Sequence, residues 1–209
     1  MEIVILPTPA EVGRLAARKI AQVISRRPTA VVGLATGSSP LAIYAELTAQ
    51  VEVGTLDARQ VRGVALDEYV GIPADHPESY LSVITRQVTQ PLDLDPDNVY
   101  VPDGRAADIP AACTAYEGTI RDLGGVDIQI LGIGANGHIG FNEPTSSFAS
   151  RTRIKTLAPQ TRADNARFFD SADDVPTHCL TQGLGTNLVA ANVQAVQATF
   201  GALSDTRDA

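Results

Sequence analysis

Ala30-Val-Val-Gly-Leu-Ala-Thr-Gly-Ser-Ser-Pro40 is a short apolar run that breaks into a hydroxyl-rich glycine turn and ends on a proline. The run has no charge and reads as a strand buried on both faces, and the turn leads into a helix expected to reach about position 49. Upstream, Thr8-Pro-Ala-Glu11 has the spacing of a capping box with proline at the first helical position. The helix it opens is expected to run to about position 26 with Val12, Leu15, Ala16, Ile20, Val23 and Ile24 inward. Residues 2–6 are apolar enough for a further strand. Strand, helix, strand, glycine turn, helix is the order of an α/β protein, so the fold class is an open, mostly parallel sheet with helices on both faces in a single domain.

Working outward, 64–66 reads as the next strand, and it delivers Asp67-Glu68-Tyr69 at its carboxyl end, where open α/β sheets keep their ligands. Neighbouring carboxylates on a strand point to opposite faces, so one can meet a ligand while the other holds the loop. A helix is expected from 78–80 to about 88, a short strand over 98–101, a helix over 110–123 and a strand over 126–133. Beyond it, 177–180 reads as a strand, 184–191 as a short helix entered through Gly183 and Gly185, and part of 193–200 as a last strand. The tail 201–209 carries no helical pattern.

The strand over 126–133 feeds Leu131-Gly-Ile-Gly-Ala-Asn-Gly-His-Ile-Gly-Phe-Asn-Glu-Pro144. Gly132, Gly134 and Gly137 satisfy G-x-G-x-x-G, but a dinucleotide site needs the last glycine to open a helix and an acidic residue about 20 positions later. Ile139-Gly-Phe-Asn-Glu-Pro144 cannot open a helix and no acid stands near Leu157, which excludes that reading. What the stretch does bring together is Asn136, His138 and Glu143. A histidine with a carboxylate to orient it suits general acid/base work, against the alternative of a hydrogen-bonded core histidine. In the turn Thr36, Gly37, Ser38 and Ser39, hydroxyls and free N–H groups at a helix start suit an anion, above all phosphate. Simple capping of that helix by Ser38 or Ser39 is expected in either case. Arg151, Arg153, Lys155, Arg162 and Arg167 face only Asp164 between 151 and 167, which makes a basic cluster fit either for solvent or for an anionic ligand.

With 209 residues, 44% of them hydrophobic and 19% charged, one globular domain can bury a sizeable core. A net charge of −8 and a pI near 4.8 disfavour nucleic acid and anionic membranes as partners, leaving a small molecule. Cys113 and Cys179 lack C-x-x-C spacing and read as two buried thiols of a reducing compartment. The N-terminus lacks the pattern of a signal peptide and no run is long enough to span a membrane, so the cytoplasm is the expected location.

Four segments together carry a resemblance: Gly33-Leu-Ala-Thr-Gly-Ser-Ser-Pro40; Leu66-Asp-Glu-Tyr-Val-Gly71 with His76-Pro-Glu-Ser-Tyr80; the stretch 131–144; and Ser147-Phe-Ala-Ser-Arg-Thr-Arg-Ile-Lys-Thr156 with Thr161-Arg-Ala-Asp-Asn-Ala-Arg-Phe-Phe169. From the N-terminus to about position 193 the chain resembles the glucosamine-6-phosphate deaminases. The resemblance implies a Rossmann-like α/β domain that turns glucosamine 6-phosphate and water into fructose 6-phosphate and ammonia in amino-sugar catabolism, with no metal or other cofactor. It implies Asp67 as the base that moves a proton between C2 and C1. It also implies His138 in ring opening with Glu143 as charge partner and Asn136 in the same triad, where some relatives have aspartate. Thr36, Gly37, Ser38, Ser39 and Arg167 would hold the phosphate, and Glu68 would support a loop. A mobile lid is implied over about 158–175. Hexameric members carry an activator site for N-acetylglucosamine 6-phosphate, which Ser146, Arg153 and Lys155 resemble, so a homo-oligomer is implied.

The family also has a phosphate-binding lysine after its last core strand, and this chain has none beyond Lys155. The resemblance thus implies an ending that is shortened or divergent after about 193, and, as the alternative function, a sugar-phosphate-binding homologue with impaired turnover. A sugar-phosphate lactonase or isomerase of the same fold ranks below both, because it is not expected to carry Asp67-Glu68-Tyr69 together with Asn142-Glu143-Pro144.

Overall fold

The computed structural model describes residues 3–134, 136–191 and 193–196. Helix α1, Pro9–Arg26, begins where the capping box places it: the Thr8 hydroxyl accepts from the Glu11 N–H and donates to the Glu11 carboxylate. Strand β1, Val31–Leu34, follows, then α2, Leu41–Glu52, and β2, Arg62–Ala65. Next come β3, Asp67–Tyr69; α3, Tyr80–Ile84, continued by a π-helical turn, Thr85–Thr89; and β4, Val99–Tyr100. Helix α4, Ile109–Asp122, is capped by Asp108, whose carboxylate accepts from the Ala111 N–H, and leads to β5, Ile128–Gly132. The remainder is β6, Arg153–Thr156; α5, Pro159–Asn165; β7, His178–Thr181; α6, Leu184–Asn187; and β8, Val193–Val196.

Five strands form one parallel sheet in the order β4-β2-β1-β5-β8. Its strands alternate faces as the pleat requires. Val32, Leu34, Ile128 and Ile130 pack with Ala16, Ile20 and Ile24 of α1 and Ile43 and Leu47 of α2, whereas Val31 and Val64 pack with Tyr116 and Ile120 of α4. Helices therefore cover both faces, and the fold is the open α/β architecture the sequence implies. Nearly all of β1 and β5 is buried, which is why their sequences run apolar instead of alternating.

A second, antiparallel sheet of order β3-β7-β6 stands beside the first, and it has no counterpart in the sequence reading. The strand expected over 64–66 does not simply deliver Asp67 at its end. The chain changes sheets at Leu66, whose N–H donates to the Leu34 carbonyl of the parallel sheet while its carbonyl accepts from the Gln182 N–H beside the antiparallel one. Asp67 and Glu68 are thus sheet residues, fixed by main-chain pairing to Thr181 and Leu180. The strand expected over 2–6 is also corrected: among the described residues 3–6 form none, and Ile3 and Ile5 are 76% and 80% exposed. Apolar composition confers no strand without a partner to pair with. Of the strand expected within 193–200, β8 forms four residues, and 197–209 lie outside the described residues. The helix expected over 184–191 is shorter, ending at Asn187.

Candidate active site

A cleft of about 510 Å³ opens at the carboxyl ends of β1 and β5. Its walls come from the turn 36–39, from Asp67 and Tyr69 of β3, and from Tyr80, Val83, Arg86 and Gln87 of α3 and the π-turn. The glycine stretch after β5 supplies His138 and Gly140, and the segment after β6 supplies Thr161, Asn165, Arg167 and Phe169. All four resemblance-bearing segments meet here: three follow a strand of the parallel sheet or the crossing at Leu66, and the fourth follows β6.

Asp67 is 6% exposed, and its carboxyl accepts no hydrogen bond among the described residues. Burial, aided by the neighbouring Glu68 carboxylate, pushes its pKa up to about 8. Glu68, on the opposite face of β3, is tied down. One carboxylate oxygen accepts from the N–H groups of Tyr69 (2.8 Å) and Tyr80 (3.0 Å), and the other from that of Leu81 (3.0 Å). With the Ser79 hydroxyl accepting from Ser82, this satisfies the start of α3 and fixes that helix to β3. Burial still raises the Glu68 pKa, since desolvation outweighs these bonds. Replacing the carboxylate leaves buried donors unsatisfied, so Glu68→Ala should lose about 2–4 kcal/mol of stability in urea unfolding, against under 1 kcal/mol for Glu78→Ala one turn away.

His138 lines the cleft, and its Nε2 takes no hydrogen bond among the described residues. Its Nδ1 lies 2.7 Å from Asn136 Oδ1, which also accepts from the His138 N–H at 3.1 Å, while the Asn136 amide donates to Glu143 Oε2 at 2.8 Å. This chain of bonds fixes every role. A carboxylate can only accept, so the Asn136 NH2 faces Glu143, its carbonyl faces the ring, and Nδ1 must carry the proton. Neutral His138 therefore presents Nε2 to the cleft as an acceptor. Gly134 makes room for this, because a Cβ there would run into the imidazole ring. The three residues singled out in the sequence are one connected relay, and Glu143 is further met by the Thr161 hydroxyl at 3.4 Å. No helix follows Gly137: Ile133 and Ile139, then Ile139 and Asn142, pair in short antiparallel bridges.

In the turn 36–39, Gly37 adopts φ +91°, a backbone conformation that side chains resist. The expected serine cap is absent. The N-cap of α2 is Pro40, with no side-chain hydrogen bond, because the turn at Gly37 carries both serines toward the cleft. Their hydroxyls remain available at the positive end of a 12-residue helix. Beneath the turn, the buried Tyr44 hydroxyl donates to the Ala35 carbonyl (2.7 Å) and accepts from its N–H (3.1 Å), anchoring the residue that leads into it.

The basic cluster does not converge on the cleft. Only Arg167 lines it, with its guanidinium 4.7 Å above the Phe168 ring. Arg151 donates to the Gly185 carbonyl, Arg162 to those of Ala172 and Val175, and Arg153 to that of Arg151. Three of the five cations are thus spent on different backbone carbonyls, away from any shared anion. Arg153 and Lys155, two apart on β6, share one face of that strand, and Ser146 lies in the turn after Glu143, its N–H bonded to the Glu143 carbonyl. The segment 158–175 does cover the cleft. Asn165 donates to the Tyr69 hydroxyl at 2.8 Å, and Phe169 meets Tyr69 edge-on at 5.9 Å and stacks on His76.

The sequence reading missed Tyr80, Arg86 and Gln87. Their signal was present: Tyr80, Val83, Arg86 and Gln87 are spaced i, i+3, i+6, i+7, one face of a helix, following directly on Asp67-Glu68-Tyr69 and its loop.

Residues 8–162 match the sequence family described as glucosamine-6-phosphate isomerases/6-phosphogluconolactonase. The chain is 63% identical over 191 residues to a glucosamine-6-phosphate deaminase of Mycolicibacterium smegmatis and 56% identical over 193 residues to one of Cutibacterium acnes. These alignments cover 91% and 92% of this chain and 73% and 74% of the relatives. Among solved structures, a monomeric glucosamine-6-phosphate deaminase superimposes with a TM-score of 0.90 at 42% identity, over 93% of this chain and 81% of that one. A 6-phosphogluconolactonase from Trypanosoma cruzi superimposes at 0.73 with 21% identity, a likeness of fold alone.

Proposed function

Because the chain belongs to the glucosamine-6-phosphate deaminase family, we propose that it converts glucosamine 6-phosphate and water into fructose 6-phosphate and ammonia. The observation that carries this reading at the level of the site is the pairing, across one cleft, of a desolvated carboxyl with a histidine whose acceptor nitrogen is exposed by a hydrogen-bond relay. The two groups suit the two kinds of proton transfer the reaction needs, one at oxygen and one at carbon.

The 6-phosphate would lie against the hydroxyls and N–H groups of Thr36, Gly37, Ser38 and Ser39 at the start of α2, with Arg167 closing over it from the lid. Ring opening removes the proton of the anomeric hydroxyl and places one on the ring oxygen. Nε2 of His138 is the group positioned to take the first, and the Glu143 carboxylate, acting through Asn136, steadies the imidazolium that results. The opened aldehyde leaves C2 acidic. Asp67 then takes the C2 proton and returns it to C1. Burial favours the protonated carboxyl of Asp67, and the ammonium of the amino sugar is the charge that would favour its ionised form on binding. The C2 imine so formed adds water and releases ammonia. This chemistry needs no redox partner.

The activator site at Ser146, Arg153 and Lys155, assembly into a homo-oligomer and a cytoplasmic, amino-sugar-degrading setting belong to the same proposal. They rest on family likeness, and the two basic residues on one strand face suit an anion. Among the described residues no helix is long and apolar enough to cross a membrane. The alternative of a binding protein that turns nothing over is disfavoured by the high identity to named deaminases and by the complete relay. Ammonia release from glucosamine 6-phosphate by the purified chain, coupled to fructose 6-phosphate formation, tests the reading. Stoichiometric release of both is expected, and a folded protein that binds the sugar phosphate without releasing either would overturn it.

A further inference from the structure

The cleft has a second cation, on the wall made by α3 and the π-turn. Among the described residues, Arg86 and Arg167 are the two basic side chains that line it, against the acids Asp67 and Glu78. Arg86 sits in the π-turn Thr85–Thr89, an element that packs on α2, while the α3 helix it continues packs on β3. It therefore stands between the strand that carries Asp67 and the helix that follows the turn 36–39. Val83, Arg86 and Gln87 share the face that forms the cleft wall, while Ile84 and Val88 on the other side are buried in the core. The wall is thus held rigidly even though the arginine itself is exposed. π-turns of this kind concentrate at functional sites, since the extra residue costs helix geometry and re-aims side chains.

Arg86 is also little used by the protein. It forms no ion pair among the described residues, and its one hydrogen bond is a long one, from Nη1 to the Pro77 carbonyl at 3.3 Å. Four further N–H donors of the guanidinium are uncommitted. Arg167, by contrast, belongs to the 158–175 segment that the proposed function reads as the lid, and rests on Phe168. We propose that Arg86 is a substrate-binding residue, the fixed cation that receives the phosphate dianion before the lid closes, with Arg167 added on closure. The proposal rests on the sugar-phosphate reading above and adds to it a residue and an order of engagement.

The test compares the wild-type chain with Arg86→Gln and Arg86→Lys in ammonia release, with inorganic phosphate as competitive inhibitor. For Arg86→Gln the KM for glucosamine 6-phosphate and the inhibition constant of phosphate should rise together by about 10- to 100-fold, with kcat changed less than about threefold. Arg86→Lys should keep the charge, lose the bidentate fork and fall between. A variant whose two binding constants match wild type overturns the proposal. So does one that loses kcat or thermal stability while phosphate inhibition stands unchanged, since that marks a merely structural role. Should the wild-type chain release no ammonia, the deaminase reading fails by itself. Calorimetric titration of inorganic phosphate into wild type and Arg86→Gln then decides the role of Arg86 separately: weaker binding by the variant upholds it, and equal binding removes it.

Discussion

Asp67→Asn should abolish turnover, lowering kcat by about 10³-fold or more, while a substrate analogue such as a 2-deoxy sugar phosphate binds within a few-fold of wild type. Asparagine keeps the shape of the side chain and cannot take a proton from carbon. The position of Asp67, accepting no hydrogen bond among the described residues and only 6% exposed, indicates that its surroundings were not selected to stabilise its charge. The same variant gives a second, independent readout. A folded-state pKa of about 8, above the ordinary 3.8, means that between those values the folded chain holds a proton that the unfolded chain has released. Stability from the protonated carboxyl is fully present below pH about 4 and is lost as pH rises through about 8. Asparagine is never charged, so the variant escapes that loss. Its thermal midpoint should exceed that of wild type by about 5 °C or more at pH 8.5 and match it near pH 4.5. A variant that keeps most of its rate would remove Asp67 from the proton transfer. Equal midpoints at both pH values would show that the carboxyl is not destabilised by its site.

The contrast with Glu68 shows why two adjacent carboxylates play different parts. Both are buried, and burial raises both. Glu68 receives three backbone N–H groups and becomes part of the frame, whereas Asp67 lines the cleft beside Gly140. From sequence the pair was legible as one carboxylate for a ligand and one for a loop. Which sheet they occupy was not, because the pairing of β3 with β7 joins residues more than 100 positions apart. What could be read was local: the cap at Thr8, the doubly buried runs of β1 and β5, and the contiguous stretches 36–39 and 131–144. Two local expectations failed for a shared reason. The apolar residues 3–6 and the serines before α2 have the right composition for a strand and a cap. Whether they adopt those roles depends on a neighbouring strand in one case and on the Gly37 turn in the other. The five cations from 151 to 167 were legible as a cluster but not in their directions, since closeness in sequence says nothing of direction once the chain enters a strand and then a helix. Arg86 escaped notice because its cavity-facing stripe is mixed in chemistry, and apolar periodicity alone does not reveal a polar wall.

His138→Gln should lower kcat about 10²- to 10³-fold on glucosamine 6-phosphate, which is supplied mainly as the closed ring. On an acyclic analogue that presents the open aldehyde, the loss should be only a few-fold. The difference follows from where Nε2 points and from how the relay fixes it. Because Asn136 can accept from Nδ1–H only while its NH2 donates to Glu143, the ring cannot exchange tautomers without breaking two bonds of 2.7 and 2.8 Å. Nε2 is thereby kept as the proton acceptor. Glutamine at 138 retains a polar group of similar reach, but its carbonyl is too weak a base to take the anomeric proton. Glu143→Gln, which removes the charge and leaves an acceptor for Asn136, should have a smaller effect of about tenfold on kcat, because the imidazolium formed in ring opening loses the charge that steadies it. An equal loss on closed and open substrates for His138→Gln would place the histidine in a step after ring opening, and the relay would then serve the isomerisation instead.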